Sequence, residues 1–329
     1  MEVSEYGFVV FIRPHNRKRN KSEILHVDTE KFSFPIPVVR TALALASLAG
    51  CIHSPVIMET TLLQRIDESA EAVRKLLGGV PSTLVVAGSG LGTFASRVKD
   101  PLTISYGDIP NFPVSTVVGH AGTLVKGKLG GREILVMNGR KHLYEGVDPQ
   151  VATHPLKSLL RAGVKTVVLS NAAGGLNPKF DVGDLMLIND HINGMYRNPL
   201  IGANIDEMGP RFPDMSEPYD RELQALTREV AIEMGLTLRE GVYWGGLGPS
   251  YETKAEVQML RQFSDVVGMS TVPETTIAVQ AGARVLGITV VTNSLVAATG
   301  PTTHEEVVEV GKLAGEHFSD LIAGVLARL

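Results

Sequence analysis

From Thr60 to the C-terminus, short apolar runs that end on glycine alternate with stretches whose apolar residues recur every third and fourth position. Few arrangements satisfy both periods at once, so the chain is restricted to layered α/β architectures. Leu63, Ile66, Ala70, Val73 and Leu77 form one helical face, which Gly78-Gly79 ends. The first strand is Thr83–Ala87, running straight into Gly88-Ser-Gly-Leu-Gly92. Strands at Val114–Val118, Thr123–Leu129 and Glu133–Asn138 follow, the last two joined by Gly130-Gly131 in a hairpin pattern.

Further on, the pattern predicts helices over about 150–162, 219–235, 253–263 and 273–282. It predicts strands at Thr166–Ser170, Leu185–Asn189, Glu240–Gly245, Asp265–Gly268 and Val285–Thr292. In the last helix Thr303 and Glu306 have capping-box spacing, and Val307, Val310, Ala314, Phe318, Leu321 and Val325 make the buried stripe. The hairpin makes the sheet mixed. The expected fold is a single three-layer α/β domain over 58–329, a mixed central β-sheet flanked by helices.

Residues 1–57 have a different texture and read as an N-terminal extension. Arg13, Arg17, Lys18, Arg19 and Lys21 carry no apolar periodicity, which suits a solvated arm; nuclear targeting or nucleic-acid contact is the competing reading. The run ending Leu48-Ala-Gly-Cys51 resembles a lipoprotein-type cleavage site. It begins forty residues in, where a leader should start near the terminus, and is far short of the ~20 residues that span a bilayer. A start codon assigned too early, with Met58 as the true start, or a disordered extension is preferred to export. With 31 basic and 35 acidic side chains the net charge is −4, which disfavours a nucleic-acid or membrane partner. Cys51 is the one cysteine, in keeping with a reducing, cytoplasmic setting.

Several strand ends carry groups capable of chemistry. Glycines in Gly88-Ser89-Gly90-Leu-Gly92 allow backbone N–H groups to converge on an anion, with the Ser89 hydroxyl as a further donor; a tight packing turn reads equally well. The segment is neither a dinucleotide fingerprint nor a P-loop. Arg140 and His142, two apart, share one face of an extended segment and together suit inorganic phosphate, although an Arg–Glu surface pair within the segment is an even alternative. His120 lies between glycines. Ala172, in the small-residue turn after Ser170, leaves its backbone N–H open to close approach. Glu252 precedes an apolar helix, where a carboxylate is favourable in any case. Ser270 ends a buried strand and reads equally as a helix cap. Asn293 leaves a strand tip with its amide exposed. Such strand ends are where ligands collect in open α/β sheets.

Taken in order, GSGLG, GHAG, GRxHxYEG, NAAGGLNP, GPSYET, VGMSTVPE, TN and HEEV resemble the trimeric purine nucleoside phosphorylases over about 60–329. The resemblance implies phosphorolysis of a purine nucleoside to free base and ribose 1-phosphate by a cytoplasmic homotrimer. Purine nucleoside and phosphate would be its partners, with no cofactor and no metal; inorganic phosphate is a co-substrate. It places phosphate among Ser89, Arg140, His142, the Ala172 backbone and Ser270, with His120 nearby. Tyr144 and Met269 would line the ribose and His304 would reach its 5′-hydroxyl. Glu252 and Asn293 would hold the purine, walled by Tyr251 and Val267, with Asn293, Glu252 and His120 as the catalytic set.

Those roles agree with the chemistry. Glycosidic cleavage runs through an oxocarbenium-like state, which phosphate can both attack and stabilise. Asn293 donating to N7 would stabilise charge on the departing base. Glu252 accepts from N1–H of a 6-oxopurine; adenine, lacking that proton, would leave a buried acceptor unpaired at ~1–3 kcal/mol. Inosine and guanosine are therefore expected over adenosine, and Asp at 293 would instead suit a methylthioadenosine phosphorylase, the first alternative. A catalytically inactive nucleoside-binding protein is the second. Ser294 replaces the Lys of mammalian members and Tyr251 a common Phe. Met208 falls where some members place a Phe that reaches into a neighbouring subunit.

Overall fold

A computed structural model of the protein describes residues 61–114, 121–296 and 303–329. The extension 1–57 and His120 lie outside the described residues. So does most of the expected strand Val114–Val118, of which only Val114 is described, exposed and outside any strand.

The first helix, α1 (Leu62–Leu77), starts at a Thr61/Gln64 capping box and stops at Gly78, which is left-handed at φ 62°. Strand β1 (Thr83–Ala87) is buried on both faces. Next comes β2 (Lys99–Ser105), an edge strand the sequence pattern does not reveal. Nearly all of it is exposed, and it contains Pro101 where only an edge tolerates one. The hairpin β3 (Thr123–Leu129) and β4 (Arg132–Asn138) forms as expected.

The helix expected over 150–162 is two: α2 (Pro149–Ala152) and α3 (His154–Ala162). Pro155, lacking an N–H, interrupts the ladder at their junction. Strand β5 (Thr166–Gly175) runs five residues past the expected Ser170, and β6 (Leu185–Asn193) four past Asn189. The rest follows the expected order: α4 (Arg221–Glu233), β7 (Leu238–Gly245), α5 (Lys254–Leu260), β8 (Val266–Gly268), α6 (Val272–Gln280), β9 (Arg284–Ser294) and α7 (His304–Leu326). The Thr303/Glu306 capping box is formed.

Nine strands among the described residues order as β2-β3-β4-β1-β5-β8-β7-β6-β9, and β9 returns to pair with β5. Five of them therefore close on themselves, while the hairpin side stays open. Alternation along each strand divides the core into two layers. Leu84, Val86, Leu135 and Met137 face α1, α3 and α6; Val85, Ile134 and Val136 face α4 and α7. This is a mixed α/β sheet flanked by helices, as expected.

One topological fact positions the site. β1 is parallel to β4 and β5, and β5 is parallel to β9. The segments leaving their C-terminal ends, which carry Ser89, Arg140, Gly175 and Asn293, must emerge along a single edge. The short β8 pairs with β5 at Gly174 and Gly175, which brings the start of the Met269–Ser270 segment to the same edge.

Candidate active site

At that edge opens a cleft of about 670 Å³, its mouth included. Ser89, Arg140, His142, Tyr144, Ala172, Tyr251, Glu252, Val267, Met269, Ser270 and Asn293 all border it. Of the residues singled out from sequence, two are missing from that wall. His120 is outside the described residues. His304 is the first residue of α7, whose Val307 borders the cleft one turn on, but its side chain is likewise outside the described part.

Arg140 is buried and held on several sides. Nη1 donates to Glu274 Oε2 at 2.9 Å; Nη2 donates to Ser170 O at 3.0 Å and to Ser270 Oγ at 2.8 Å. The acid that pairs with it is thus not in its own segment: Glu145 instead takes Lys141 at 2.8 Å and the His142 backbone N–H at 2.7 Å. Burial pushes the Glu274 carboxyl upward, and Arg140 opposes the shift. The His142 ring stacks on Tyr144 at 4.8 Å and 12°. Burial, with Glu145 adding to it, raises the Tyr144 phenol to about 12, so it is a neutral hydroxyl at pH 7.

Ser270 is not the cap of α6. That position belongs to Thr271, whose φ of 67° is an outlier for a β-branched residue and whose side chain makes no cap bond. The conformation is held by Asn171 Nδ2 donating to Thr271 Oγ1 at 2.9 Å, and by Ser270 N donating to Tyr243 OH at 3.2 Å. Similarly, the cap of α5 is Thr253 with Glu256, which leaves Glu252 to the cleft. Glu252 and Val267 border the same cleft, and a Cβ on Gly246 would lie 4.0 Å from an atom of each. Burial raises the pKa of Glu252, with Glu256 acting in the same direction.

Asn293 is aimed by a bulge. Ala173 pairs with Val291 and Gly174 with Asn293, so Thr292 is an extra residue in β9. The Thr292 hydroxyl lies 3.1 Å from Asn293 Oδ1 and 3.3 Å from Ala173 O; when its single proton goes to Oδ1, the amide presents Nδ2 as its donor end. The small residues 172–175, expected as a turn, are strand; having almost no side chain, they let β9 and Leu295 close over them.

Sequence reasoning missed Glu274, Thr292, Asn171 and Tyr243. Glu274 carried a signal: a carboxylate in the apolar run 272–279 calls for a buried cation. The others did not: Asn171 and Tyr243 find their partners in the distant Ser270–Thr271 segment, and Thr292 matters only because the β5–β9 pairing makes it the bulged residue. Met208 is only 6% exposed and lies against its own chain.

The sequence model of the phosphorylase superfamily matches residues 83–327. Purine nucleoside phosphorylase 1 of Bacillus subtilis (strain 168) is 45% identical over 80% of this chain and 98% of its own length. The chain belongs to the purine nucleoside phosphorylase family. The Bos taurus purine nucleoside phosphorylase is 44% identical over 76% of this chain and 89% of its own. Among solved structures, Schistosoma mansoni purine nucleoside phosphorylase in complex with adenosine matches with a TM-score of 0.77 and 39% identity, covering 81% of this chain and 98% of that one. A schistosoma phosphorylase with hypoxanthine matches at 0.78 and 39%, covering 82% and 99%. Among the described residues, no helix of this family member is long and apolar enough to cross a membrane, and no cluster of three or more His, Cys, Asp or Glu is placed to hold a metal.

Proposed function

We propose that this purine nucleoside phosphorylase cleaves 6-oxopurine nucleosides with inorganic phosphate as the only co-substrate. Phosphate lies between Ser89, Arg140, His142, the Ala172 backbone and Ser270. One of its oxygens attacks C1′ as the C1′–N9 bond breaks, the bonding pair leaves with the base, and ribose 1-phosphate forms. Donation from Asn293 Nδ2 to N7 stabilises the charge that develops there. Glu252 accepts from N1–H, Tyr251 and Val267 wall the base, and Tyr144 and Met269 line the ribose. His120 and His304 complete the phosphate and 5′-hydroxyl ends. Neither metal nor organic cofactor enters this scheme.

The observation that carries the reading is the convergence of Arg140, a buried cation tied to Ser270, with the Asn293 amide on one cleft. An anion can be held at the first and a leaving group stabilised at the second. We read the working form as a cytoplasmic homotrimer. Ile201 and Phe212 border one groove while 69% and 87% exposed, which suits burial against another copy. With Met208 turned inward, any cross-subunit contact to the ribose comes from another residue.

The test is hypoxanthine release from inosine with and without phosphate, alongside guanosine, adenosine and methylthioadenosine. Phosphate-dependent release from inosine and guanosine is expected. Cleavage of methylthioadenosine alone, or no release at all, overturns the proposal.

A further inference from the structure

The loop that carries Ser89 is gripped from both sides by main chain. On the sheet side, a Cβ on Gly88 would fall 2.5 Å from Ser170 O, the carbonyl that also accepts from Arg140 Nη2. Gly88 N donates to Ser170 Oγ at 3.1 Å, fastening the loop there. On the helix side, a Cβ on Gly311 of α7 would fall 2.9 Å from Gly90 Cα and 3.2 Å from Ser89 O; one on Gly90 would fall 2.8 Å from Gly311 Cα. Gly90, at φ 77°, needs glycine for its backbone alone. Gly311 does not. It sits in a helix interior without a positive φ, where glycine is less favourable than alanine. The contact, not the conformation, explains it.

Gly315, one turn later, is the built-in comparison. A Cβ there would meet only side-chain atoms, Thr93 Oγ1 at 3.3 Å and Leu91 Cδ2 at 3.7 Å, and side chains can yield where main chain cannot. We propose that Gly311 is a positioning residue for phosphate: its missing side chain lets α7 press onto Gly90 and so sets Ser89 relative to Arg140. The same helix opens with His304 and borders the cleft at Val307, so its seat on the loop joins the two ends of the site. This rests on Ser89 being a phosphate ligand.

The experiment compares Gly311→Ala, Gly315→Ala and Ser89→Ala in the full chain, varying phosphate at saturating inosine and inosine at saturating phosphate, with a melting curve for each. In G311A the loop must shift by a fraction of an ångström, and the phosphate KM is expected to rise about tenfold while the inosine KM moves less than about threefold. G315A is expected to leave both KM values unchanged. S89A is expected to raise the phosphate KM, and adding it to G311A should give less than the product of the two effects. If S89A alone changes nothing, the reading of Ser89 is wrong and the inference goes with it. If S89A raises the phosphate KM but G311A does not, or G311A raises both KM values equally, Gly311 has no positioning role. Should G311A not fold, Gly90→Ala displaces the same loop, and a phosphate KM unchanged in that variant overturns the inference.

Discussion

Arg140 donates from Nη1 to Glu274 Oε2 at 2.9 Å, across 134 residues of chain, with both side chains buried. The pair fixes the guanidinium before any ligand arrives, because a buried cation without a counter-charge would be strongly unfavourable. Pre-setting an anion ligand in this way lowers the entropy lost when the anion binds.

Separating charge from geometry in this pair is possible with two variants. Glu274→Gln keeps an acceptor at the same reach, whereas Glu274→Ala leaves Nη1 buried with nothing to hold it. The alanine variant should lose about 3–5 kcal/mol of stability and raise the phosphate KM more than about tenfold, against less than about threefold for glutamine. Urea unfolding and phosphate titrations of the rate measure both. A near-native phosphate KM in both variants would show that Glu274 does not place Arg140, and equally large losses would show that its charge rather than its reach does so.

Thr292 offers a second check on orientation. Thr292→Val preserves shape but removes the donor to Asn293 Oδ1, so the amide can turn its oxygen toward N7. A loss of about five- to tenfold in kcat/KM is expected, against about 10²–10³ for Asn293→Ala. In the double variant the threonine change should add nothing further. An additive loss would mean Thr292 acts elsewhere.

Base selectivity should depend on pH through Glu252. Its ionised form, in which both oxygens are charged acceptors, is the stronger acceptor for N1–H of a 6-oxopurine, and burial lifts its pKa above the ordinary value of 4.5. Recognition of inosine is therefore complete above that raised pKa and fades as pH falls through it. The protonated carboxyl can instead donate to N1 of adenosine. The inosine-to-adenosine ratio of kcat/KM should fall as pH is lowered through that raised pKa in the native enzyme, and stay flat in Glu252→Gln. A flat native profile would remove Glu252 from the N1 position.

Acid should weaken the fold at a buried residue that does not border the cleft. His154 is 4% exposed with Nε2 2.9 Å from Ser69 Oγ, and burial, aided by Lys157 and Arg65, brings its pKa from 6.5 to about 4. The unfolded imidazole binds its proton first, so stability is whole above pH 6.5 and drains as pH falls toward 4. The decrement is about 2 kcal/mol at pH 5 and about 3 kcal/mol in full. Urea unfolding at pH 7 and pH 5 should show this difference shrink in His154→Gln; an identical pH slope would refute the assignment.

How far the chain could be read without coordinates depended on how local each signal was. Short apolar runs bounded by glycines exposed β1 and the β3–β4 hairpin, and spacing by three and four exposed α1 and α7, because each signal lies within a few residues of itself. Neither signal could expose β2, which is almost wholly solvated and stays a strand only because β3 pairs with it. Nor could either carry β5 through Asn-Ala-Ala-Gly-Gly, residues of low strand propensity that β9 and β8 hold extended from either side.

The sequence by itself determined the alternating layers, the helix caps and the set of strand ends with useful chemistry, since each depends on neighbours along the chain. Tertiary structure alone decided that Glu274 rather than Glu145 neutralises Arg140, that Thr292 aims Asn293, and that Gly311 seats α7 against Gly90. The first and third join segments 134 and more than 200 residues apart, and the second depends on the β5–β9 pairing that places the bulge at Thr292; only the folded sheet brings those backbones within reach.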